Sequence, residues 1–474
     1  MNRATFHRLV VLAAILAQPM APMSSVIGAG IEVRHTIIAA SGGAAPAGGN
    51  YLPLFVNARL NARHEVAFDA FVGGPPFTTG VFAGDGRAAF AIALGSNPDP
   101  SGPSFGLVGS PFITETSKVV FQANSSDIFV SNSRTIVPLV RNGDHAPGGG
   151  TLTPTPQFAA NNHGAIVFHA SISGSTAAQG IFRTDTMQTV AIVRDDGDVP
   201  TGGRFTSLLS PVINDRGQVA FFAEMIGGLA DFGIFRGQGE ELTPVFAANR
   251  IAPGGGTFED FGDPAINRHG QVAVLASLTN GASRRGLFVG DGTDTGAIAL
   301  QGQPAPKGGT YGGEDPFLGA IRLNDRGEVA FVARLTGDSS SKGVFRGNGD
   351  RTTTIALAGS PAPGTTGTFQ SFDDIKLATD GRVAFVASLQ TGVGGVDASN
   401  NRGIWIGTSD EQLHLVVRTG DVIGGHVLTR LPALGPGNQF DMNQNGVLWV
   451  GSFGATTAIV VTHVIGHDDA AVAF

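Results

Sequence analysis

The chain contains no cysteine in its 474 residues. That excludes disulfides, thiolate nucleophiles, iron–sulfur clusters, Cys-ligated zinc and lipid attachment through an N-terminal cysteine. Charge is scarce too: Asp, Glu, Lys and Arg make up 14%, against about 25% in an average soluble domain. The balance is acidic, with a formal charge of −8 and no run of Lys or Arg, which speaks against nucleic acid and anionic lipid as partners. Trp and Tyr occur twice each, whereas Phe occurs 32 times. Phe has no polar handle, so this usage points to core packing rather than to sugar-binding faces. What abounds is glycine, at 70 positions, beside 26 prolines. Together they stay under the roughly 25–30% that marks low-complexity disorder. The 42% of hydrophobic residues is ample for a folded core.

Residues 1–29 read as a secretory signal. Arg3 and Arg8 supply the positive start, Leu9–Ala17 is an apolar run, and small residues allow cleavage after Ala21 or Ala29. Nine apolar residues are too few to span a bilayer, which needs about 20. The expected location is therefore periplasmic, extracellular or on the cell surface. Residues 446–466 also lack Asp, Glu, Lys and Arg, and hydropathy alone would suggest an anchor. Their Gly, Val and Thr content and their register with the repeat described next favour strands. No membrane span is expected in the mature chain, taken as 30–474.

An internal repeat dominates that chain. INDRGQVAFFAEM at 213–225 recurs from Leu60, Ala160, Ile266 and Leu323, with weaker copies from Ile113, Leu377 and Met442. The aligned anchors are Asn61, Thr114, Asn161, Asn214, Asn267, Asn324, Ala378 and Asn443, eight in all, most of them 53 to 57 residues apart. Each copy resolves into four strand-like pieces. A short apolar piece ends at the anchor, and an NxxG turn follows, with the Asn side chain able to bond the main chain. The VAFxAxL run comes next, then GIFRG at 233–237 or its relatives, then a fourth strand closed by Pro and Gly, as in residues 243–256. Continuous Val, Ala and Phe, rather than alternation, predict sheets covered on both faces.

Four-stranded antiparallel units that need neighbours on both faces describe an eight-bladed β-propeller. The chain ends fit closure. Residues 34–49 match a fourth strand yet precede the first anchor, while the last copy stops after its third strand. The two pieces together predict a last blade completed 3+1 by the N-terminal strand. A β-solenoid or a seven-bladed propeller is the alternative, but a solenoid has no need of permuted ends.

The recurring N-x-x-G-x-x-x-A-F, carried at Asn214, Gly217, Ala220 and Phe221 and again at Asn324, Gly327, Ala330 and Phe331, resembles the bacterial NxxGxxxAF tandem-repeat family. Its members are described as "choice of anchor" because they carry various C-terminal surface-sorting signals. The resemblance covers essentially the whole mature chain. It implies a secreted or surface-attached bacterial repeat protein and no activity. The sequence departs from the pattern where Thr114 and Ala378 replace Asn and where His64 and Ser117 replace Gly. Its tail, HVIGHDDAAVAF, also lacks an apolar helix followed by basic residues, so no mode of attachment follows.

Motifs with chemical content are few. DMNQNG at 441–446 matches half of a calcium loop, but Ser452 stands where the bidentate Glu is required, so the segment reads as a hairpin turn. His64, His163 and His269 lie in NxxG turns, where exposed hairpin residues are expected. His463 and His467 are four apart but would need a helix to share a metal. There is no G-x-S-x-G elbow and no GxxxxGK[ST] loop. The glycine-rich stretches such as 143–150 recur in most blades as crossovers into strands. A residue needed in every blade serves geometry. No catalytic residue, metal ligand or cofactor is assigned.

Function should sit where the blades differ. In the strand before each anchor, residues one and three before it are apolar, while those two and four before it vary. There Arg59, Asp263, Arg322, Asp374, Lys376 and Asp441 are charged, in blades one, five, six, seven and eight. One reading is a mixed-charge ligand site at the channel mouth, binding an anionic or zwitterionic ligand, with a carboxylate available as base. The favoured reading is that these charges pair between blades and stabilise them. The sequence thus points to a non-enzymatic binding or structural scaffold, monomeric, with an unidentified extracellular ligand or surface partner. The alternative is a secreted propeller hydrolase or lyase, which rests on fold analogy alone.

Overall fold

A computed structural model describes residues 23–26, 31–74, 77–100, 103–131, 135–239, 241–432 and 439–466. The expected signal segment lies outside these residues except for a short strand, Met23–Val26; His467 and the last residues lie outside as well. The described chain is an all-β, eight-bladed propeller, with the blade count and boundaries the repeat predicts. Blade four shows the pattern. Its strands are Arg204–Ile213, Val219–Ile226, Phe232–Gly237 and Leu242–Ala247, each antiparallel to the next.

The turn after the first strand forms for a local reason. The Asn214 carbonyl accepts the Gly217 N–H at 3.0 Å, and Gly217 sits at φ 75°, a conformation that favours glycine. The Asn214 side-chain Oδ1 accepts the N–H groups of Arg216 and Gln218 at 3.0 and 2.9 Å, which pins the hairpin. In the third strand, Gly233 leaves room for the ring of Phe235 two residues on. A Cβ at Gly233 would meet that ring at 2.9 Å. The freed ring stacks on Phe221 of the second strand, centroids 5.8 Å apart.

The two faces of a second strand serve different cores. Val219, Phe221 and Ala223 pack with Val167, Ile181 and Leu208, toward blade three. Ala220 packs with Phe258, Val272 and Phe288, toward blade five. This is why the VAF run is continuously apolar, and each fully buried Phe contributes about 1.5–3 kcal/mol.

The blades fall into two compact units, one of blades seven, eight, one and two, the other of blades three to six. In the first, blade eight is completed as the chain ends predict. Ile31–Ala40 pairs antiparallel with Thr456–Gly466, with Val33 opposite Val464 and Thr36 opposite Val461. Thr456–Gly466 pairs in turn with Gly446–Phe453 and that strand with Phe440–Met442. Residues 446–466 are therefore two strands of a blade, and among the described residues no helix is long and apolar enough to cross a membrane. Met23–Val26 adds a fifth strand outside Ile31–Ala40, which the repeat does not predict.

Candidate functional site

Several first strands are interrupted just before the anchor. The ladder slips between Leu209 and Val212 in blade four, Phe372 and Ile375 in blade seven, and Phe55 and Ala58 in blade one. The bulge lifts Ser210 and Pro211, four and three before the anchor, out of register in blade four, and the residues five and four before it, Val56 with Asn57 and Asp373 with Asp374, in blades one and seven. The variable position four before the anchor thus sits at the bulge in these blades, whereas the one two before it, as at Arg59, Arg322, Lys376 and Asp441, stays in the ladder.

Four of the six charged candidates belong to the unit of blades seven, eight, one and two. Lys376 pairs with Asp374 of its own strand at 3.3 Å, and its ammonium lies 5.8 Å from the centre of the Phe440 ring in blade eight. Asp441 accepts the Leu60 N–H of blade one through Oδ2 at 3.1 Å and the Met442 N–H through Oδ1 at 3.0 Å. The Arg59 side chain is half-buried and makes no hydrogen bond or ion pair among the described residues, while its main chain pairs with Ala67 in the ladder. In the other unit, Asp263 of blade five is exposed and accepts the hydroxyl of Ser210 in blade four. Arg322 donates through Nη1 to the Ile321 carbonyl at 3.1 Å. The Lys376–Asp374 ion pair lies within one blade. Bonds from Asp441 to main chain and from Asp263 to a hydroxyl cross between neighbouring blades.

Three features carry more than sequence reasoning assigned them. Asp69, in the second strand of blade one, is buried and accepts the Asn57 N–H at 2.8 Å, the Asn57 amide at 2.7 Å and the Ser110 N–H of blade two at 3.2 Å. An acid at the variable middle of a V-A-F-x-A run, where blades four to eight carry Phe222, Leu275, Val332, Val386 and Val450, was the signal available. His64 departs from the exposed position expected of it. It is half-buried, its ring centroid 4.3 Å from that of His463, whereas His163 and His269 are exposed. Third, a cleft of about 550 Å³ lies along the fourth strand of blade three, between Pro147 and Leu242. Arg194 in its wall is fully engaged, donating to the Pro147 carbonyl at 2.9 Å and pairing with Asp196 at 3.2 Å.

The remaining motifs resolve as turns. Asn443 Oδ1 accepts the N–H groups of Asn445 and Gly446 at 2.8 and 2.7 Å, so DMNQNG is a hairpin turn as expected. The glycine-rich crossover at 143–150 folds back on itself, with the Ala146 N–H on the Gly150 carbonyl at 3.0 Å, and leads into the strand Thr151–Ala160.

Comparison with known proteins adds a family. The profile of a family described as "Family of unknown function (DUF7453)" matches residues 23–291 and again 141–462. No curated protein matches the sequence. Among solved structures, a puromycin-hydrolysing peptidase of Mycobacterium tuberculosis aligns at 13% identity and a TM-score of 0.39. That alignment covers 87% of this chain but only 53% of the peptidase, so the chain spans about half its length. Sqt1 of Saccharomyces cerevisiae aligns at 8% identity and a TM-score of 0.36, covering 88% of this chain and 97% of that one. YCF48 bound to a D1 peptide aligns at 9% and 0.31, covering 93% and 98%. Likenesses this distant carry nothing about chemistry.

Proposed function

The chain belongs to the DUF7453 family of unknown function, and from that premise we propose that it is an exported propeller acting as a non-enzymatic binding or structural scaffold outside the cytoplasm. The observation that carries this reading is what the candidate carboxylates do. Asp374 is paired with Lys376, Asp441 holds the Leu60 N–H, and Asp263 holds the Ser210 hydroxyl. A general base must reach a proton on its substrate, and each of these groups is already turned to the fold. The apolar N-terminal run supports export, as does the resemblance to the NxxGxxxAF surface proteins.

The test expresses the full chain in a bacterium and fractionates the cells. The protein is expected outside the cytoplasm and lighter by its N-terminal segment. The purified material is then incubated with panels of polysaccharides and peptides, without turnover. Retention in the cytoplasm at full mass sinks the export reading. Turnover that disappears in Asp374→Asn or Asp441→Asn sinks the scaffold reading.

A further inference from the structure

We propose that the seam between blades eight and one is an acid-sensitive clasp, in which charging the His64–His463 ring pair loosens the strand Ile31–Ala40 that completes blade eight. The two rings touch edge to face at 4.3 Å, one from the first turn of blade one and one from the third strand of blade eight. His64 Nδ1 is buried without a hydrogen-bond partner. A neutral ring tolerates this as an unused acceptor, whereas the charged ring must place an N–H there.

Among the described residues, the carboxylates on the neighbouring elements are already engaged, Glu115 of blade two by the Ala62 N–H of the His64 turn at 2.9 Å. On Ile31–Ala40, Arg34 stands opposite His463, and Glu32 is bonded to Arg34 at 3.2 Å. On the turn, Arg63 is a further cation, and Glu65 is held by the Asn61 amide at 2.7 Å and the Ser117 hydroxyl at 2.5 Å. Gly446–Phe453, which places Gly446 opposite His463, contains no titratable residue. A proton arriving at the pair meets a second imidazole and a guanidinium.

A third histidine on the closing strand is set for the neutral state as well. His35 is buried, with Nδ1 2.8 Å from the Thr462 hydroxyl, and that hydroxyl also receives the Trp449 indole N–H at 2.8 Å. An indole only donates, so Thr462 accepts there, and toward His35 Nδ1 the hydroxyl serves as donor or as second acceptor according to the tautomer. The charged ring can only donate there, and it is burial that opposes its charging. No charged group bears on His35.

Burial holds His35 down to about 4, and burial, His64 and Arg34 together hold His463 down to about 4; burial lowers His64 as well. The sign follows. These groups are lower in the folded state than the 6.5 of an unfolded chain, so their contribution is complete above about pH 6.5. It falls as the pH drops toward 4, and below 4 they remove nothing more.

The test is amide hydrogen exchange on the full chain at pH 7.5 and 4.5, corrected for the intrinsic rate. Peptides over 31–40 and 456–466 are expected to exchange at least about tenfold faster at pH 4.5, since each unit of depressed pKa is a factor of about ten. Peptides over 219–237 of blade four should hold. His64→Gly restores the residue that other turns carry at this left-handed position, where His64 has φ 63°, and should cut the acceleration at least threefold. His463→Gln carries the same expectation should the first variant not fold. Equal acceleration in every blade, none in the closing strands, or no difference between wild type and variant would overturn the clasp.

Discussion

Asn214 donates through Nδ2 to the main-chain oxygen of Asn267 at 2.8 Å, and Asn267 is the residue at the same position in the next blade. The contact repeats. Asn161 reaches the Asn214 carbonyl at 3.0 Å, Asn267 the Asn324 carbonyl at 3.1 Å, Asn61 the Thr114 carbonyl at 3.0 Å, and Asn443 the Asn61 carbonyl at 2.6 Å. The same amide closes its own turn through Oδ1 and donates to Gln218 at 2.9 Å. Two N–H donations and an acceptor are required on one short side chain, which Asn supplies and a hydroxyl, with its single donor, does not.

Replacing this residue should separate its two duties. Asn214→Asp keeps the acceptor that closes the turn but loses the donor to blade five and sets a carboxylate beside a carbonyl. Asn214→Ala loses both and leaves buried groups unpaired, at about 1–3 kcal/mol for each orphan. Urea unfolding should rank wild type above both variants, with each losing at least about 2 kcal/mol. An Asn214→Asp protein as stable as wild type would show that the stitch between blades contributes nothing.

Much of this architecture was legible because it repeats. The NxxG spacing and the continuous VAF run state the same geometric demand in most blades, the permuted ends state the closure once, and the blades follow from them. The stitch from Asn to the next anchor was not legible, since a turn motif advertises only its local bonds. The charged candidates were findable as departures from the repeat. What they bond to was not, because a bulge decides which main-chain groups are free, and no spacing records a bulge. His64 misled for the same reason: its turn position is ordinary, and its burial comes from His463, some 400 residues away in sequence.

The two tyrosines predict a gain. Tyr51 sits among Phe55, Phe68 and Phe82, and Tyr311 among Phe317, Phe331 and Phe345. Both hydroxyls are buried without a hydrogen-bond partner, and burial pushes both groups upward from the ordinary phenol range. Blades four, five and seven carry Phe205, Phe258 and Phe369 at the corresponding point. Tyr51→Phe and Tyr311→Phe should therefore each stabilise by about 1 kcal/mol, read as a raised melting temperature. A loss of stability in both would mean that the hydroxyls hold ordered water.

Asp69 predicts a loss confined to its corner. Its carboxylate gathers the main-chain groups that the blade-one bulge releases and reaches across to Ser110, which sits at φ 51°. Asp69→Ala removes the acceptor and strands those N–H groups, at about 2–3 kcal/mol. Hydrogen exchange should accelerate at 55–58 and 108–112 before it does so in blades three to six. Uniform acceleration would instead mark Asp69 as a determinant of the whole fold.

The N-terminal strand predicts where processing occurs. Met23 lies opposite His35, Ser24 opposite Arg34, Ser25 opposite Val33 and Val26 opposite Glu32, so these residues cover the outer edge of the closing strand. The family match likewise begins at residue 23. Cleavage after Ala29 would discard this strand and leave the edge of Ile31–Ala40 bare, while cleavage after Ala21 keeps it. Exported protein should accordingly show the mass of a chain beginning at Pro22. The physical part can be checked without export, by preparing chains that begin at Pro22 and at Gly30. The shorter chain loses a short ladder and should be less stable by about 1–2 kcal/mol, with faster exchange in 31–40. If the two chains melt together, the strand is dispensable and the argument for the earlier cleavage site falls with it.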